Sequence, residues 1–255
     1  MSPGGSATLP RLVLLPNVIG FPSVSMEIFR ERYTSALRER ASGEWCIEEL
    51  RCDGAASWQS LFPGKARSRV RGLHARWVAY PRLARATNGD VYHILDHSHA
   101  TLAESLPGER SILTCHDIIP LLASRGILDV PITPWGRRTF LRRLDAMRRC
   151  ARIVAVSECT RRDLIQHAGM APDRITVVPN GLDTSFQPNP PGGQSRADEA
   201  RRLRREWGLP DDARVVLHVG TRNRYKNTTA VIRAMAQVRS HRADTWLVRI
   251  GAPLF

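Results

Sequence analysis

Short apolar runs alternate with amphipathic stretches along the chain, and this alternation predicts an α/β protein. The runs are rich in β-branched side chains, which is typical of strands buried in a parallel sheet. The predicted strands are 12–15, 46–50, 91–95, 111–114, 153–156, 175–178, 215–219 and 245–250. Apolar residues at helical spacing, together with capping residues, predict helices from about Ser25, at 65–79, at 134–150, after Ser157, at 198–207 and at 228–240.

The stretch after the sixth predicted strand interrupts this alternation. Pro179 removes a backbone donor and Asn180-Gly181 is a turn dipeptide, so strand 175–178, which we expect to be buried on both faces, ends there. Residues 183–195 have the Pro, Gly and Ser content of a linker. We therefore predict a first domain at 1–178, a hinge and linker at 179–195 with Pro179, Asn180 and Gly181 as the hinge, and a partial second domain at 196–255.

The same stretch also carries a family resemblance. The segment Val178-Pro-Asn-Gly-Leu-Asp183, followed by Phe186 and Pro188, resembles the interdomain crossover of the family 4 glycosyltransferases. The resemblance implies an α/β fold of the GT-B type, with two Rossmann-like domains of which the second is incomplete here. It also implies an enzyme that transfers a sugar from a nucleotide-sugar donor with retention of configuration and without a metal. The first domain would then bind the acceptor and the second the donor.

A basic loop follows the first predicted strand of the second domain. In the family pattern that this loop resembles, a glycine lets the backbone approach the donor diphosphate, and a Lys-Asn pair follows it. Gly220, Arg222, Arg224, Lys226 and Asn227 occupy these places or supply nearby charge. Cations beside a helix that begins at residue 228 would stabilise the negative charge of a departing diphosphate. The alternative is a solvated basic loop.

Polar residues follow three strands of the first domain, at the sheet edge where open α/β proteins bind ligands. His116 and Asp117 follow strand 111–114 and resemble the family segment in which a histidine lies beside the transferred sugar. A neutral imidazole there can hydrogen-bond a sugar hydroxyl, which makes His116 the candidate catalytic residue. Asp117 either orients His116 or caps the next segment. Asn17, Gly20 and His97 lie in the loops after strands 12–15 and 91–95 and are predicted to contact substrate.

Other chemistries find less support in the sequence. The loop after the first strand lacks Gly-x-Gly-x-x-Gly, so we expect no nicotinamide cofactor, and we predict no other cofactor. His97, His99 and His116 could converge on zinc, but no Cys or carboxylate stands in a supporting motif, and no metal is predicted. The family's Glu-x7-Glu motif lies well beyond the second strand of the C-terminal domain, and the sequence ends before that part. Glu31 and Glu39 have this spacing by coincidence, within the first predicted helix.

The formal net charge is +14, and all but two of the 38 basic residues are arginine. This bias reflects either genomic composition or an anionic partner. Nucleic acid is not expected, because no arginine-aromatic recognition motif occurs. The basic helix 65–79 is either a solvated face or a peripheral contact with an anionic membrane. Five cysteines without Cys-x-x-Cys pairing suit a reducing compartment. No apolar run is long enough to span a bilayer, so a cytoplasmic or membrane-peripheral location is predicted.

The functional prediction is a glycosyltransferase of cell-surface polysaccharide or glycoconjugate synthesis. Its acceptor would be a glycan, a lipid-linked sugar or a small molecule. Two alternatives remain open: a truncated chain or half of a split protein that is inactive alone, and a GT-B sugar-nucleotide epimerase or phosphorylase. Two strands in 196–255 would leave sheet edges and apolar surface exposed, which favours inactivity of the isolated chain.

Overall fold

The structure is a computed structural model that describes residues 8–19, 23–55, 59, 63–182, 196–221 and 223–251. Contacts divide the chain into two units, which are described separately. The first unit is Met1–Arg125 with Ile132–Asn180, and the second is Gly126–Pro131 with Gly181–Phe255. Pro179 and Asn180 thus end the first unit and Gly181 begins the main part of the second.

The first unit is built on a six-stranded sheet in the order β2-β1-β3-β4-β5-β6, and every pairing is parallel. The order changes direction at β1, which pairs with β2 on one side and β3 on the other. The strands are β1 (Arg11–Leu15), β2 (Cys46–Glu49), β3 (Val91–Ile94), β4 (Ser111–Cys115), β5 (Arg152–Ala155) and β6 (Ile175–Val177). The strand predictions are therefore confirmed to within a residue or two at each end.

Helices connect these strands, as parallel pairing requires. They are α1 (Val24–Ala41), α2 (Gly64–His74), a π turn (Ala75–Ala79), α3 (Tyr80–Ala86), α4 (Ile119–Ser124), α5 (Pro134–Met147) and α6 (Glu158–Ala168). Short 3-10 segments lie at His97–Ser105, Gly108–Arg110 and Pro172–Arg174. Ser157 caps α6 as predicted, because its Oγ accepts a hydrogen bond from the Thr160 N–H at 3.0 Å. The central strands carry the core, and Leu14, Leu15, Ile94 and Leu113 have no exposed surface.

One prediction about the first unit was wrong, and two helices differ in extent or burial from simple amphipathic helices. Strand β6 is not buried on both faces: it is the last strand of the sheet, and its central residue, Thr176, is exposed. The helix predicted at 65–79 continues through the π turn into α3. The apolar stripe of α1, which includes Phe29 and Tyr33, is half-buried, because polar and aromatic groups, not an aliphatic layer, lie beneath it.

The second unit contains α7 (Arg196–Glu206), β7 (Arg214–Val219), a 3-10 turn (Arg224–Lys226), α8 (Thr228–His241) and β8 (Thr245–Ile250). Strands β7 and β8 form a parallel pair in which Val219 is opposite Ile250. The predicted two strands and two helices are confirmed. The predicted apolar exposure is also present, since Leu217 is 56% and Val219 is 65% exposed.

Candidate functional site

The first candidate site lies where the strand order of the first unit changes direction, between β1 and β3. Ligands of open α/β sheets bind outside the carboxyl ends of the strands at such a point. Asn17 follows β1 and Asp96 follows β3, and Asn17 Nδ2 donates a hydrogen bond to Asp96 Oδ2 at 2.9 Å. Asn17 Oδ1 is buried and has no hydrogen-bond partner in the described part of the chain. It is therefore an acceptor that a bound hydroxyl can use.

Asp96 organises the segment that follows it. Its Oδ1 accepts a hydrogen bond from the Ser98 N–H at 2.7 Å and caps the 3-10 segment. Burial alone would raise the pKa of Asp96, but nearby His97 and the hydrogen bonds from Ser98 and Asn17 lower it to about 2. Asp96 is thus an ionised, 5% exposed carboxylate. It was missed as a candidate residue, although its position directly after a buried strand was a usable signal.

His97 and His116 meet at the ends of β3 and β4, as the sequence analysis expected of two neighbouring strands. His97 Nδ1 lies 3.4 Å from the backbone nitrogen of His116 and 3.4 Å from Asp96 Oδ1. Burial lowers the pKa of His97, although Asp96 and Asp117 oppose this shift. A neutral imidazole therefore stands at the centre of this sheet edge.

The imidazole of His116 is held on two sides. Its Nε2 lies 3.0 Å from the Leu95 carbonyl oxygen, so this nitrogen donates and, in the neutral ring, Nδ1 is the acceptor. The Phe29 ring meets it edge-on, with the ring centroids 4.8 Å apart. Asp117 Oδ1 accepts a hydrogen bond from the Ile119 N–H at 3.0 Å. Asp117 therefore caps the segment entering α4, which was one of its two predicted roles.

A chain of side chains supports His116 from inside the unit. Phe29 stacks on Tyr33 with centroids 5.5 Å apart. The Tyr33 hydroxyl lies 2.9 Å from His93 Nδ1, and His93 Nε2 lies 2.9 Å from Thr114 Oγ1. Burial lowers the pKa of His93 to about 4 and raises that of Tyr33 to about 12. Both groups are thus neutral at physiological pH, and they fix the aromatic ring that contacts His116.

The second candidate site is the loop after β7. Gly220 ends the strand, and its N–H donates to the Ile250 carbonyl oxygen at 3.0 Å. A Cβ atom at Gly220 would lie 3.1 Å from His218 Cε1, so a larger residue there would require the His218 side chain to shift by a few tenths of an ångström. Asn227 adopts a left-handed conformation, with φ of 46°, and precedes α8. The turn thus directs the backbone into the first N–H groups of α8, where a helix attracts anions.

The cations of this loop have different surroundings. Lys226 is exposed, and its Nζ lies 5.5 Å from the centroid of the Tyr225 ring. Arg224 Nη2 lies 2.7 Å from Asp129 Oδ2, in a pair that is exposed on both sides. A cavity of about 690 Å³ is lined by Arg224 and other residues of this loop, by the start of α8 and by residues 128–130, but Lys226 does not line it. Lys226 is therefore a cation in this loop that a ligand can reach without displacing a carboxylate.

Several predicted residues lie outside what the structure describes. These are Gly20, Arg222 and the linker at 183–195. Glu31 and Glu39 lie on α1, where the sequence analysis placed them. Among the described residues, no group of three or more His, Cys, Asp or Glu side chains is arranged to hold a metal ion. No helix in the described ranges combines the length and apolar character needed to cross a bilayer.

Solved structures of similar architecture define the class of this fold. Sucrose-phosphate synthase from Thermosynechococcus elongatus superposes with a TM-score of 0.61 at 14% identity, covering 95% of this chain and 62% of the other. The α,α-trehalose 6-phosphate synthase from Burkholderia multivorans gives a TM-score of 0.51 at 13% identity and covers 96% and 64%. The chain has the fold of GT-B glycosyltransferases.

The family follows from the sequence. The profile of Glycosyltransferase Family 4 matches residues 40–186, which is more than half of the chain. The chain belongs to glycosyltransferase family 4, as the crossover and loop motifs had suggested.

Curated relatives match over parts of their length. The D-inositol 3-phosphate glycosyltransferase of Kineococcus radiotolerans is 29% identical over 188 residues, which are 69% of this chain and 40% of the relative. The enzyme of the same name from Acidothermus cellulolyticus is 34% identical over 122 residues, or 46% and 25%. The α-maltose-1-phosphate synthase of Mycolicibacterium smegmatis is 26% identical over 201 residues, or 74% and 49%. The chain thus spans from a quarter to about half the length of these relatives.

Proposed function

We propose that this chain acts in the transfer of a sugar from a nucleotide diphosphate donor to an acceptor hydroxyl, with retention of configuration. Family membership supports sugar transfer as the reaction class. Retention is what the family resemblance implies. Synthesis of a cell-surface polysaccharide or glycoconjugate in the cytoplasm is the setting that we propose.

The observation that carries the proposal is the group of polar side chains at the switch point of the first unit. Asn17 Oδ1 is a buried acceptor, and His116 Nδ1 faces away from the Leu95 carbonyl oxygen that holds Nε2, which leaves it as a second candidate contact. Both groups are held by contacts to neighbouring strands, so they need little reorganisation when a sugar hydroxyl binds. Acceptors fixed at a sheet edge in this way suit a polyhydroxylated ligand, and we assign this edge to the acceptor and the transferred sugar.

We assign the donor diphosphate to the loop after β7. Lys226 supplies a mobile positive charge, and the first N–H groups of α8 supply fixed dipoles. Charge grows on the diphosphate as the sugar leaves, so these groups stabilise the transition state more than the bound donor. Arg224 can join them only if its pair with Asp129 opens; both partners are exposed, so this pair is weak. The departing phosphate can itself take the acceptor proton, so no carboxylate nucleophile is required.

The experiment is a transfer assay with the product of the intact gene, including any in-frame sequence after Phe255. Donor sugars on uridine, guanosine and adenosine diphosphates are tested, and released nucleoside diphosphate is measured with and without candidate acceptors. The anomeric configuration of the product is read by proton NMR. Inversion would refute retention, and the absence of nucleoside diphosphate release with every donor would refute sugar transfer.

His116→Ala tests the catalytic assignment in the same assay. We expect turnover to fall while nucleoside diphosphate binding stays unchanged, because the partner of His116 is the sugar and not the phosphate. His241→Ala, which removes an exposed imidazole from α8, is the control. Normal turnover of a folded His116→Ala protein would refute the assignment.

We also propose that α2 contacts an anionic membrane surface. Lys65, Arg67 and Arg69 are exposed on this helix, and the apolar Leu73 beside them is 46% exposed. Basic residues flanking exposed apolar surface suit a peripheral lipid contact. Co-sedimentation with phosphatidylglycerol vesicles tests this. Binding that persists unchanged when Lys65, Arg67 and Arg69 are replaced by glutamine would contradict it.

A further inference from the structure

His116 is held by elements that follow both strands neighbouring β4. At the end of β3, the Leu95 carbonyl oxygen lies 3.0 Å from His116 Nε2, and His97 Nδ1 lies 3.4 Å from the His116 backbone nitrogen. After β5, Thr160 on α6 donates a hydrogen bond from its Oγ1 to the His116 carbonyl oxygen at 3.2 Å. Phe29 on α1 meets the imidazole, with the ring centroids 4.8 Å apart. Three parts of the first unit thus fix His116 before any ligand binds.

The hydroxyl of Thr160 is oriented toward His116 by the cap of α6. Thr160 is buried, and Ser157 Oγ lies 2.9 Å from Thr160 Oγ1. A hydroxyl carries one proton, and that of Thr160 goes to the His116 carbonyl oxygen. Ser157 is therefore the donor between the two hydroxyls. The residues that begin α6 thus also determine how the peptide of His116 is held.

The Phe29 ring restricts rotation of the His116 imidazole. The two ring planes are 86° apart, which is the edge-to-face arrangement that aromatic pairs prefer. Phe29 is itself stacked on Tyr33, whose hydroxyl lies 2.9 Å from His93 Nδ1. Turning the imidazole over would remove Nε2 from the Leu95 carbonyl oxygen and lose that hydrogen bond. The contacts therefore favour one orientation of the ring and, in its neutral form, the tautomer with the proton on Nε2.

We propose that Phe29 and Thr160 are positioning residues for His116: Thr160 holds its peptide and Phe29 holds its ring. Neither residue is assigned a contact with a substrate, so both act through His116. A group that is already oriented needs little reorganisation in the transition state. Loosening His116 should therefore lower turnover without changing how the donor diphosphate binds. The effect on turnover rests on the proposed function, but the effect on the orientation of His116 does not.

The direct test is NMR of the two ring nitrogens of His116 in the full chain without substrates. Long-range ¹H–¹⁵N correlation is recorded at the alkaline plateau of the ring's own titration, and His116→Ala assigns the signals. In the wild type we expect Nε2 to be protonated and Nδ1 to be unprotonated. In Phe29→Leu and Thr160→Val the two nitrogen shifts should converge, because a ring that is no longer held exchanges between tautomers. Thr160→Ser keeps the hydroxyl and should retain the wild-type shifts.

The matched control is Thr87→Val, which removes a hydroxyl that donates to the Leu83 carbonyl oxygen at 2.9 Å. Thr87 follows α3 and precedes β3, so it lies at the opposite edge of the sheet from His116. This control should leave the ring shifts of His116 unchanged. Wild-type shifts in Phe29→Leu or in Thr160→Val overturn the role of that residue, and equal changes in Thr87→Val overturn the proposal. If either variant does not fold, Phe29→Met or Thr160→Ala replaces it and is judged by the same shifts.

Turnover of the intact gene product separates a positioning role from a merely structural one. We expect Thr160→Val to lower kcat about threefold to tenfold, the effect of one neutral hydrogen bond, while the KM for the donor stays unchanged. In a His116→Ala background the same substitution should change kcat less than about twofold, because no imidazole remains to be positioned. Equal losses in both backgrounds would overturn the proposal.

The two measurements also distinguish this proposal from the proposed function. If the wild type transfers no sugar but the ring shifts of His116 respond to Phe29→Leu and Thr160→Val, the proposed function is refuted and the positioning of His116 stands. If the wild type transfers sugar and His116→Ala lowers turnover, but neither variant changes the ring shifts or kcat, the proposed function stands and this proposal is overturned.

Discussion

Replacing His93 by glutamine should make the first unit less sensitive to acid. In the folded chain His93 is enclosed between Tyr33 and Thr114, and burial lowers its pKa from 6.5 to about 4. The unfolded chain therefore binds a proton at a higher pH than the folded chain does. The contribution of the neutral His93 ring to the free energy of unfolding is fully present above pH 6.5. It is lost as the pH falls toward the folded pKa of about 4.

The size of the effect follows from the two pKa values. Lowering the pH from 7 to 5 should reduce the free energy of unfolding by about 2 kcal/mol through His93 alone, and by about 3 kcal/mol below pH 4. His99, whose pKa burial lowers to about 3, titrates in the same window but is unchanged in the variant. The difference between wild type and His93→Gln therefore isolates His93. Asp96 has a pKa of about 2, so its protonation does not change the free energy of unfolding between pH 7 and pH 5.

The assay is urea unfolding of the first unit at pH 7 and pH 5. We expect the wild type to lose about 2 kcal/mol more than His93→Gln between these two pH values. Glutamine is polar but cannot take up a proton in this range. His241→Gln, which changes an exposed imidazole, should behave as the wild type does. An identical pH dependence in His93→Gln and wild type would refute the inference that His93 is buried and neutral.

Two further predictions concern packing and domain organisation. Glu49→Gln should destabilise the first unit by about 1–3 kcal/mol, because Glu49 is only 10% exposed and pairs with Arg30 at 3.0 Å. The control is Glu48→Gln on the same strand, where Glu48 forms an exposed pair with Arg11. It should reduce the free energy of unfolding in urea by less than about 1 kcal/mol. Limited proteolysis should cut near Pro190–Gly193 and leave a resistant N-terminal fragment, because β7 exposes apolar side chains such as Val219 (65% exposed). A resistant C-terminal piece on a gel would contradict the second prediction.

Much of the fold was predictable because its signals are local. Most strands of the first unit are short apolar runs that a loop or turn ends; β2, which contains Glu48 and Glu49, is an exception. Ser157 is a local signal for the start of α6, because its side chain caps that helix. The edge position of β6 was not predictable in this way, because strand order is set by packing over the whole chain. The sequence pattern of an apolar run such as 175–178 is the same whether the strand lies at the centre or at the edge of a sheet.

The candidate site was predictable only in part. Residues that follow strands, such as His97, His116 and Asn17, could be placed at one sheet edge from the strand pattern alone. Asp96 also follows a strand and could have been placed there, but its hydrogen bond with Asn17 was evident only once β1 and β3 were known to be neighbours.

The roles assigned to the loop after β7 remain predictions until a ligand is titrated. The most direct measurement is calorimetric titration of uridine and guanosine diphosphates into the wild type, Lys226→Ala and Lys65→Ala. The chain has only these two lysines, so Lys65, exposed on α2, is a matched control for loss of one charge. We expect Lys226→Ala to weaken binding by about 1.5–3 kcal/mol, roughly tenfold to a hundredfold, and Lys65→Ala to leave it unchanged. Equal affinities for all three proteins, or no binding of either nucleotide, would contradict the assignment of the donor diphosphate to this loop.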